Sequence, residues 1–463
     1  MTVIYAGGAL LALGVILYGC VRIAKDPLLG VCLFVFLSSI TMMPQLPVVG
    51  DRLAFADLVM LYTLLVCTVR GHFFRPPLPG LKLVDQLALL FIAIATISSL
   101  LALFRDGDPV RVVLFLLIYA YGYCCFRIII RMIRDRETLK RLMIWWLAGA
   151  ILVIVIGFLA GTGVYRPAWT FDPVIGRINA TFKMSGQVAS YLGPAMFILF
   201  YLAGTRRLSR PLQLGVLSLI FAGAFVLLGA GSRTSFMIMV ISVGAGTWVM
   251  ITSAQRRLRR VPLLFASISA VTAFSLFALS VWSDTSSQYR LTSTSPFERA
   301  IKMWSEQTSG GWDIEELGGT RYDEISAVLE NFDKAPLTGT GSGMFSQTYK
   351  INEVHNTYFS VLGENGLIAF IIFLFWWAFI FVTLRKPITR ARGEEKVILK
   401  LVFWAFLTLS LYQMTINGMR QRPFWFIPAL AVATSAVLRQ PRSSRMYAHQ
   451  EKDIQKLLQD SAT

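Results

Sequence analysis

The chain has 463 residues, of which 55% are hydrophobic and only 15% are charged. Soluble domains carry about 25% charged residues, so this composition excludes a disordered chain, a coiled coil and a small disulfide-rich secreted domain. It indicates a polytopic membrane protein. The 44 basic residues exceed the 26 acidic residues by 18. Such a balance is typical either of a nucleic-acid partner or of Lys and Arg on cytoplasmic loops.

Apolar stretches long enough to cross a bilayer recur along the chain. A spanning helix needs about 20 mostly apolar residues. Thirteen segments are candidates, and the last is the shortest: 2–21, 27–43, 53–69, 84–104, 112–130, 142–163, 187–204, 212–231, 234–252, 261–282, 357–384, 397–419 and 424–438. The predicted fold class is therefore an all-α polytopic membrane protein with about 12–13 transmembrane helices.

These segments divide the chain into four parts. They are transmembrane helices 1–10 within residues 1–282, an outer loop region at 283–356, C-terminal transmembrane helices at 357–438, and a polar tail at 439–463. Loops after odd-numbered segments, with the helix ends beside them and the tail, hold 29 of the 44 basic residues. The positive-inside rule then predicts an outer N-terminus and a cytoplasmic C-terminus. This topology explains most of the positive charge, so no nucleic-acid partner is predicted.

The cysteines and histidines give no metal-binding pattern. The five cysteines all lie in or beside apolar segments, so the outer loop has no disulfide framework. Only three histidines occur, His72, His355 and His449, and they form no motif with metal-ligand spacing. We therefore predict neither a protein-bound metal nor a cofactor.

The outer loop 283–356 interrupts the hydrophobic pattern and is net acidic. It holds 11 acidic and six basic residues. Apolar residues recur at helical spacing within 322–333, which predicts an amphipathic helix against the membrane rim or the bundle. A glycine-rich run at 339–343 follows, and such a run allows close backbone approach. Loops of this length in compact proteins are usually functional.

Two residues in or beside the outer segments suggest chemistry. His355 stands where the chain re-enters the membrane, and its unperturbed pKa near 6.5 suits proton transfer at neutral pH. Arg233 lies between two apolar helices on the side that the positive-inside rule does not favour. Ser232 before it can cap the following helix, and a guanidinium beside a helix N-terminus forms a good anion site. The alternatives are that His355 only fills the membrane interface or caps the helix, and that Arg233 is a topological anchor.

Further arginines lie in the outer segments. Arg177 ends the second longest outer loop, Arg321 begins the predicted amphipathic helix, and Arg299 is a rival to Arg321. Each alone is typical of a solvated surface charge. Together they indicate an anionic ligand such as a phosphate, because arginine binds phosphate oxygens bidentately.

Three motifs are similar to those of a known group of proteins. They are Leu228-Gly-Ala-Gly-Ser-Arg-Thr, Pro336-Leu-Thr-Gly-Thr-Gly-Ser-Gly-Met-Phe, and His355-Asn-Thr-Tyr-Phe-Ser-Val-Leu-Gly-Glu-Asn-Gly. With an arginine ahead of the second motif, they resemble the O-antigen ligase and polymerase superfamily of bacterial membrane glycan transferases. The resemblance is close over about 170–385 and weaker around Arg177, where Lys183-Met-Ser-Gly replaces an Asn-rich stretch.

The resemblance implies a GT-C-like, metal-independent glycosyltransferase of the bacterial inner membrane, with its active face in the periplasm. Its donor would be a glycan on undecaprenyl diphosphate, and its acceptor a hydroxyl of lipid A-core or of another glycan. Arg233 and Arg321, with Arg177, would bind the diphosphate, and His355 would activate or orient the acceptor. The further predicted substrate-binding residues are Arg299, Asn356, Tyr358, Gly341, Ser232 and Glu364.

Three functions remain open on the sequence. An O-antigen ligase uses lipid A-core as its acceptor, whereas an O-antigen or exopolysaccharide polymerase uses another repeat unit, and the motifs are common to both. A polysaccharide transporter or flippase is the alternative from a different class. Transporters often contain two similar halves, and the sequence contains no convincing repeat.

Overall fold

The computed structural model describes residues 2–42, 54–105, 107–172, 176–204, 208–253, 320–349 and 354–440. Within these ranges the side chains of residues 2–13, 233 and 320–322 are outside the description. The predicted tenth segment, 261–282, the predicted site residue Arg299 and most of the polar tail lie outside the described residues.

The described part of the chain is almost entirely helical. Its helices are α1 (Thr2–Lys25), α2 (Pro27–Leu37), α3 (Phe55–Val69), α4 (Lys82–Leu103), α5 (Pro109–Met132), α6 (Arg136–Gly161), α7 (Ser185–Gly204), α8 (Arg210–Gly229), α9 (Arg233–Ser253), α10 (Thr320–Lys334), α11 (Phe345–Thr348), α12 (Thr357–Arg390), α13 (Gly393–Tyr412) and α14 (Arg422–Arg439). A 3-10 turn covers His72–Phe74. Two short antiparallel strands, β1 (Phe171–Asp172) and β2 (Arg177–Ile178), pair in the segment between α6 and α7.

The prediction of an all-α polytopic membrane protein is confirmed. Within the described residues, seven helices are long and apolar enough to cross a membrane: α4, α5, α6, α7, α8, α9 and α12. Helices α2 and α3 are apolar but shorter. The segment predicted at 27–43 is helical only to Leu37. The chain then turns, and the backbone N–H groups of Thr41 and Met42 both donate to the Thr181 carbonyl.

Helix α14 lies at the centre of the bundle. Every residue from 423 to 438 is buried, and the helix packs against α5, α12 and α13. A helix that is apolar on all sides is expected to be buried in this way. Gly122 of α5 permits this packing, because a Cβ there would lie 2.2 Å from the ring of Trp425. The shortest predicted segment is therefore the most enclosed one.

A buried ion pair joins α14 to α3. Arg422 Nε donates to Asp57 Oδ1 at 2.8 Å, and its Nη2 contacts the other carboxylate oxygen. The Tyr121 hydroxyl (3.0 Å) and the Ala54 N–H (2.9 Å) also donate to this carboxylate. Asp57 is only 5% exposed. Each oxygen therefore accepts two hydrogen bonds, which offsets the cost of burying the charge.

Helix α12 is interrupted at Gly366. This residue has φ +77° and ψ −179°, so the helix is two helical pieces that meet at a kink. A Cβ at Gly366 would lie 2.3 Å from the Leu337 carbonyl oxygen, so only glycine admits the chain at this point. The sequence predicts one continuous helix here. The kink arises because the segment after α10 packs directly against it, with the Leu367 N–H donating to the Pro336 carbonyl.

Candidate active site

Two polar residues of helix α10, Glu324 and Asn331, lie on the face that packs against the bundle. The predicted amphipathic helix is present, but two residues of its predicted apolar face, Ile325 and Leu329, are 37% and 56% exposed. Val328 is fully buried, and beside it Glu324 and Asn331 are 5% and 3% exposed. Polar partners explain this rotation of the buried face. Asn331 Nδ2, for example, donates to the Gly363 carbonyl of α12 at 2.8 Å.

Glu324 binds His355 through both of its carboxylate oxygens. Oε1 lies 2.7 Å from the ring Nδ1 of His355, and Oε2 accepts the backbone N–H of the same residue at 2.7 Å. The side chain of Glu324 is 7% exposed, whereas that of His355 is 46% exposed. A carboxylate only accepts hydrogen bonds, so it favours the proton on Nδ1 and leaves Nε2 as the basic nitrogen of the neutral ring.

The two motif residues after His355 contribute to the fold at the start of α12. Asn356 caps the helix, because its Oδ1 accepts the N–H groups of Tyr358 (2.9 Å) and Phe359 (3.2 Å). Its Nδ2 donates to the Met414 carbonyl. Tyr358 extends toward α13, and its hydroxyl donates to the Ser410 carbonyl at 3.1 Å. The side chains of Asn356 and Tyr358 thus hold the helix start that carries His355.

The glycine-rich turn at 339–343 packs against the kink in α12. The N–H groups of Thr340 and Gly341 donate to the carbonyls of Gly363 and Glu364 at 3.0 and 2.7 Å. The kink makes these carbonyls available, because the regular helical donors are displaced there. The Glu364 side chain is 5% exposed and accepts the Gly343 N–H at 3.0 Å.

The predicted substrate-binding residue Gly341 therefore lies inside this turn, and Glu364 lies in α12 and packs against it. A Cβ at Gly341, which has φ +90°, would lie 2.3 Å from the Cβ of Ala102. The Tyr119 hydroxyl also donates to the Glu364 carboxylate, at 3.3 Å. Through these contacts both residues stabilise the packing of the turn against its neighbouring helices. Their predicted contact with substrate stays a prediction.

Arg177 lies against the turn that begins α9. In the register of the two short strands, Arg177 lies opposite Asp172. Gly231 has φ +66°, and a Cβ there would lie 2.8 Å from Arg177 Cγ, so the arginine stem lies directly over the glycine. Ser232 caps α9, as predicted, because its Oγ accepts the Ser235 N–H at 3.0 Å. Arg233 is the first residue of this helix.

The C-terminal end of α13 and the residue that follows it contact both groups of residues. The Thr357 N–H donates to the Gln413 carbonyl at 2.9 Å, next to His355. On the other side, the Tyr412 hydroxyl donates to the Gly186 carbonyl at 3.0 Å, at the end of the segment that carries Arg177. The histidine and the Arg177–Gly231 contact therefore lie at the same end of the bundle.

The motif that begins at His355 lies in a segment that matches a known family. Residues 216–374 match the family model described as O-antigen ligase. Over these residues the chain is similar to the O-antigen ligase and polymerase superfamily. The match confirms the resemblance inferred from the motifs. No curated protein matches the chain at a significant level.

The O-antigen ligase segment contains most of the predicted site. Arg233, Arg321 and His355 lie within it, whereas Arg177 precedes it. Arg321 is in the first turn of α10, three residues before Glu324, and the side chains of Arg321 and Arg233 are outside the description. Among the described residues, no group of three His, Cys, Asp or Glu side chains could hold a metal ion.

Glu324 is a residue of the candidate site that was not predicted from the sequence. The amphipathic pattern was judged by its apolar residues, and a glutamate on such a helix is typical of the solvated face. One signal was present. Glu324, Val328 and Asn331 are spaced i, i+4 and i+7, so they share a face, and two of the three could bond polar groups of the bundle.

Proposed function

We propose that this membrane protein is a glycosyltransferase that moves a glycan from undecaprenyl diphosphate to an acceptor hydroxyl, most simply the lipid A-core acceptor of an O-antigen ligase. The observation that carries the proposal is the oriented Glu324–His355 pair within the O-antigen ligase segment. A GT-C-like architecture and the inner membrane as its location belong to the same proposal. The active face would be periplasmic, with the N-terminus on that side and the C-terminus in the cytoplasm.

His355 supplies the proton chemistry in this proposal. Its Nε2 takes the proton of the acceptor hydroxyl while the hydroxyl oxygen bonds to the anomeric carbon of the donor. The bond from that carbon to the diphosphate oxygen breaks, and its electron pair leaves with the diphosphate. A positioned base of near-neutral pKa contributes about 100- to 10,000-fold to such a step.

Arginines would stabilise the leaving diphosphate. Charge develops on its oxygens as the bond breaks, and preorganised donors lower the barrier most when they point at that charge. Arg177 lies over Gly231, beside the N-terminus of α9 where Arg233 begins the helix. A helix N-terminus and a guanidinium both attract phosphate. Arg321 and Arg299 are the candidates from the outer loop region.

A polymerase is the second candidate. It would use the same base and the same arginines, with the terminal hydroxyl of another repeat unit as the acceptor. A flippase would need no base, so the Glu324–His355 pair favours an enzyme. Complementation of a deletion strain with the wild type, His355→Ala and Arg233→Ala, followed by gel analysis of surface glycan, tests all three.

Each outcome assigns one function. Loss of attached glycan with long polymer retained on the lipid carrier indicates a ligase, and single units or short chains indicate a polymerase. Lipid-linked glycan that accumulates on the cytoplasmic side indicates a flippase. Normal glycan from both variants, at normal protein levels, rejects the enzyme. Arg177→Ala in the same strain tests the proposed diphosphate contact of that arginine. Its control is Arg166→Ala, because Arg166 lies in the same segment but stacks 4.2 Å over the Phe171 ring. Partial burial there lowers the pKa of the Arg166 guanidinium.

A further inference from the structure

We infer that Glu324 is a positioning residue that fixes both the ring orientation and the proton of His355. The inference rests on the proposed function, since it assumes that His355 acts as a base. The contact on which the inference is based does not depend on that assumption. One carboxylate contacts the ring Nδ1 and the backbone N–H of the same histidine, each at 2.7 Å.

The environment of Glu324 makes this contact rigid. Val328 and Val354 belong to a small buried cluster at this point, and Glu324 itself is 5% exposed. A buried carboxylate is costly unless its oxygens accept hydrogen bonds, so the two contacts to His355 keep the carboxylate in place. Glu330, one and a half turns further along α10, differs, because it is 56% exposed and pairs with Lys334.

The geometry also selects the tautomer. The backbone N–H of His355 can only donate, so Oε2 must accept there. The other oxygen then faces Nδ1, which must carry a proton to bond with it. Nε2 is left as the nitrogen that can accept the proton of a hydroxyl. Helix α10 thus prepares the base only when it is packed on the start of α12.

Glutamine at position 324 would reverse this arrangement without changing the shape of the side chain. Its single oxygen would be needed by the backbone N–H of His355, so its NH₂ group would face Nδ1 and donate to it. The ring proton would move to Nε2, and the ring would lose its basic nitrogen toward the acceptor. Aspartate keeps the charge but is one carbon shorter, so it would restore part of the function.

The test compares Glu324→Gln, Glu324→Asp, His355→Ala and the control Glu330→Gln in the full chain. Membranes of a deletion strain that expresses each variant, with the strain's own lipid-linked glycan as donor, give the transfer rate against pH. We expect Glu324→Gln to lower the rate about 100-fold, with Glu324→Asp in between and Glu330→Gln unchanged. The acidic limb of the residual activity should move to lower pH, because a neutral partner no longer stabilises the protonated ring.

A spectroscopic measurement separates positioning from folding. The chain has only three histidines, so ¹⁵N-histidine labelling of the purified protein gives an Nδ1 and an Nε2 signal from each of three rings, and His355→Ala assigns one pair. We expect the His355 ring to carry its proton on Nδ1 in the wild type and on Nε2 in Glu324→Gln. An unchanged tautomer overturns the inference, whether activity is retained or is lost together with thermal stability. Full activity of His355→Ala instead overturns the proposed function, so the two failures are distinguishable.

Discussion

Two buried carboxylates of this protein contrast in what they bind. Asp57 contacts Arg422 with both oxygens and also accepts from Tyr121 and the Ala54 backbone. Glu324 contacts one histidine, through its ring and its backbone N–H. Both are about equally buried, at 5% exposure. Burial alone therefore does not separate a structural acid from a functional one.

The difference lies in the partner. The Arg422 side chain is 16% exposed, and a guanidinium keeps its charge at any physiological pH, so the Asp57 pair is a fixed link between α3 and α14. The His355 side chain is 46% exposed, and an imidazole can accept and release a proton, which a guanidinium does not do. A buried acid paired with a permanent cation holds helices together. One paired with a half-exposed histidine can orient a proton acceptor.

The largest effect is expected from the substitution of His355, the partner of Glu324. His355→Ala should lower the transfer rate by about 100- to 10,000-fold, because it removes the base. The unfolding midpoint should fall only modestly, because Glu324 Oε1 loses its ring partner but Oε2 still accepts the backbone N–H of residue 355. Transfer in membranes and thermal unfolding of the purified protein measure the two effects. A stability loss as large as the activity loss would place His355 with Asp57 as a structural residue.

The second largest effect is expected from breaking the ion pair between Asp57 and Arg422. Asp57→Asn leaves Arg422 buried without its counter-ion, and breaking such a pair costs about 3–5 kcal/mol. We expect a lower unfolding midpoint and lower protein levels, with a normal transfer rate per folded molecule. The double variant Asp57→Asn/Arg422→Gln serves as the control and should recover part of the stability. A rate loss without a stability loss would assign Asp57 to the site.

An intermediate effect is expected where the glycine turn approaches α4. Gly341→Ala forces a Cβ to within 2.3 Å of Ala102 at φ +90°. Unfavourable backbone conformations of this kind cost about 1–3 kcal/mol each. Displacement of the turn should lower both the unfolding midpoint and the transfer rate. Ser346→Ala, on the neighbouring short helix α11, is the comparison variant, and an equal loss there would show that the glycine conformation is not the cause.

The smallest effect is expected at the exposed pair of α10. Glu330→Gln removes a contact to Lys334 between side chains that are 56% and 65% exposed. Exposed ion pairs contribute little because water and salt screen them. The hydrogen bond that Lys334 donates to Glu330 raises the pKa of Lys334, so this modest stabilisation is lost as the pH rises and the lysine deprotonates. The difference in unfolding midpoint between the wild type and the variant should be slight at neutral pH and vanish at alkaline pH.

Helix positions were largely predictable because they depend on local pattern. Twelve of the thirteen predicted segments are helices of the described residues, since runs of apolar residues must be helical where no water can bond the backbone. The Ser232 cap and the helix over 322–333 follow local rules as well. The break at Gly366 was missed, because a single glycine is tolerated in a helix and its cause lies 30 residues earlier in the chain.

The sequence by itself determined the membrane class, the family motifs and the identity of His355 as the candidate base. Only the tertiary structure decided which residue faces that histidine and where Arg177 lies. Contacts between Glu324 and His355, or between Arg177 and Gly231, join residues 31 and 54 positions apart. No periodicity connects such positions. They meet because helices of fixed length pack with one set of faces inward, and this packing places a glutamate of the amphipathic helix against the candidate base.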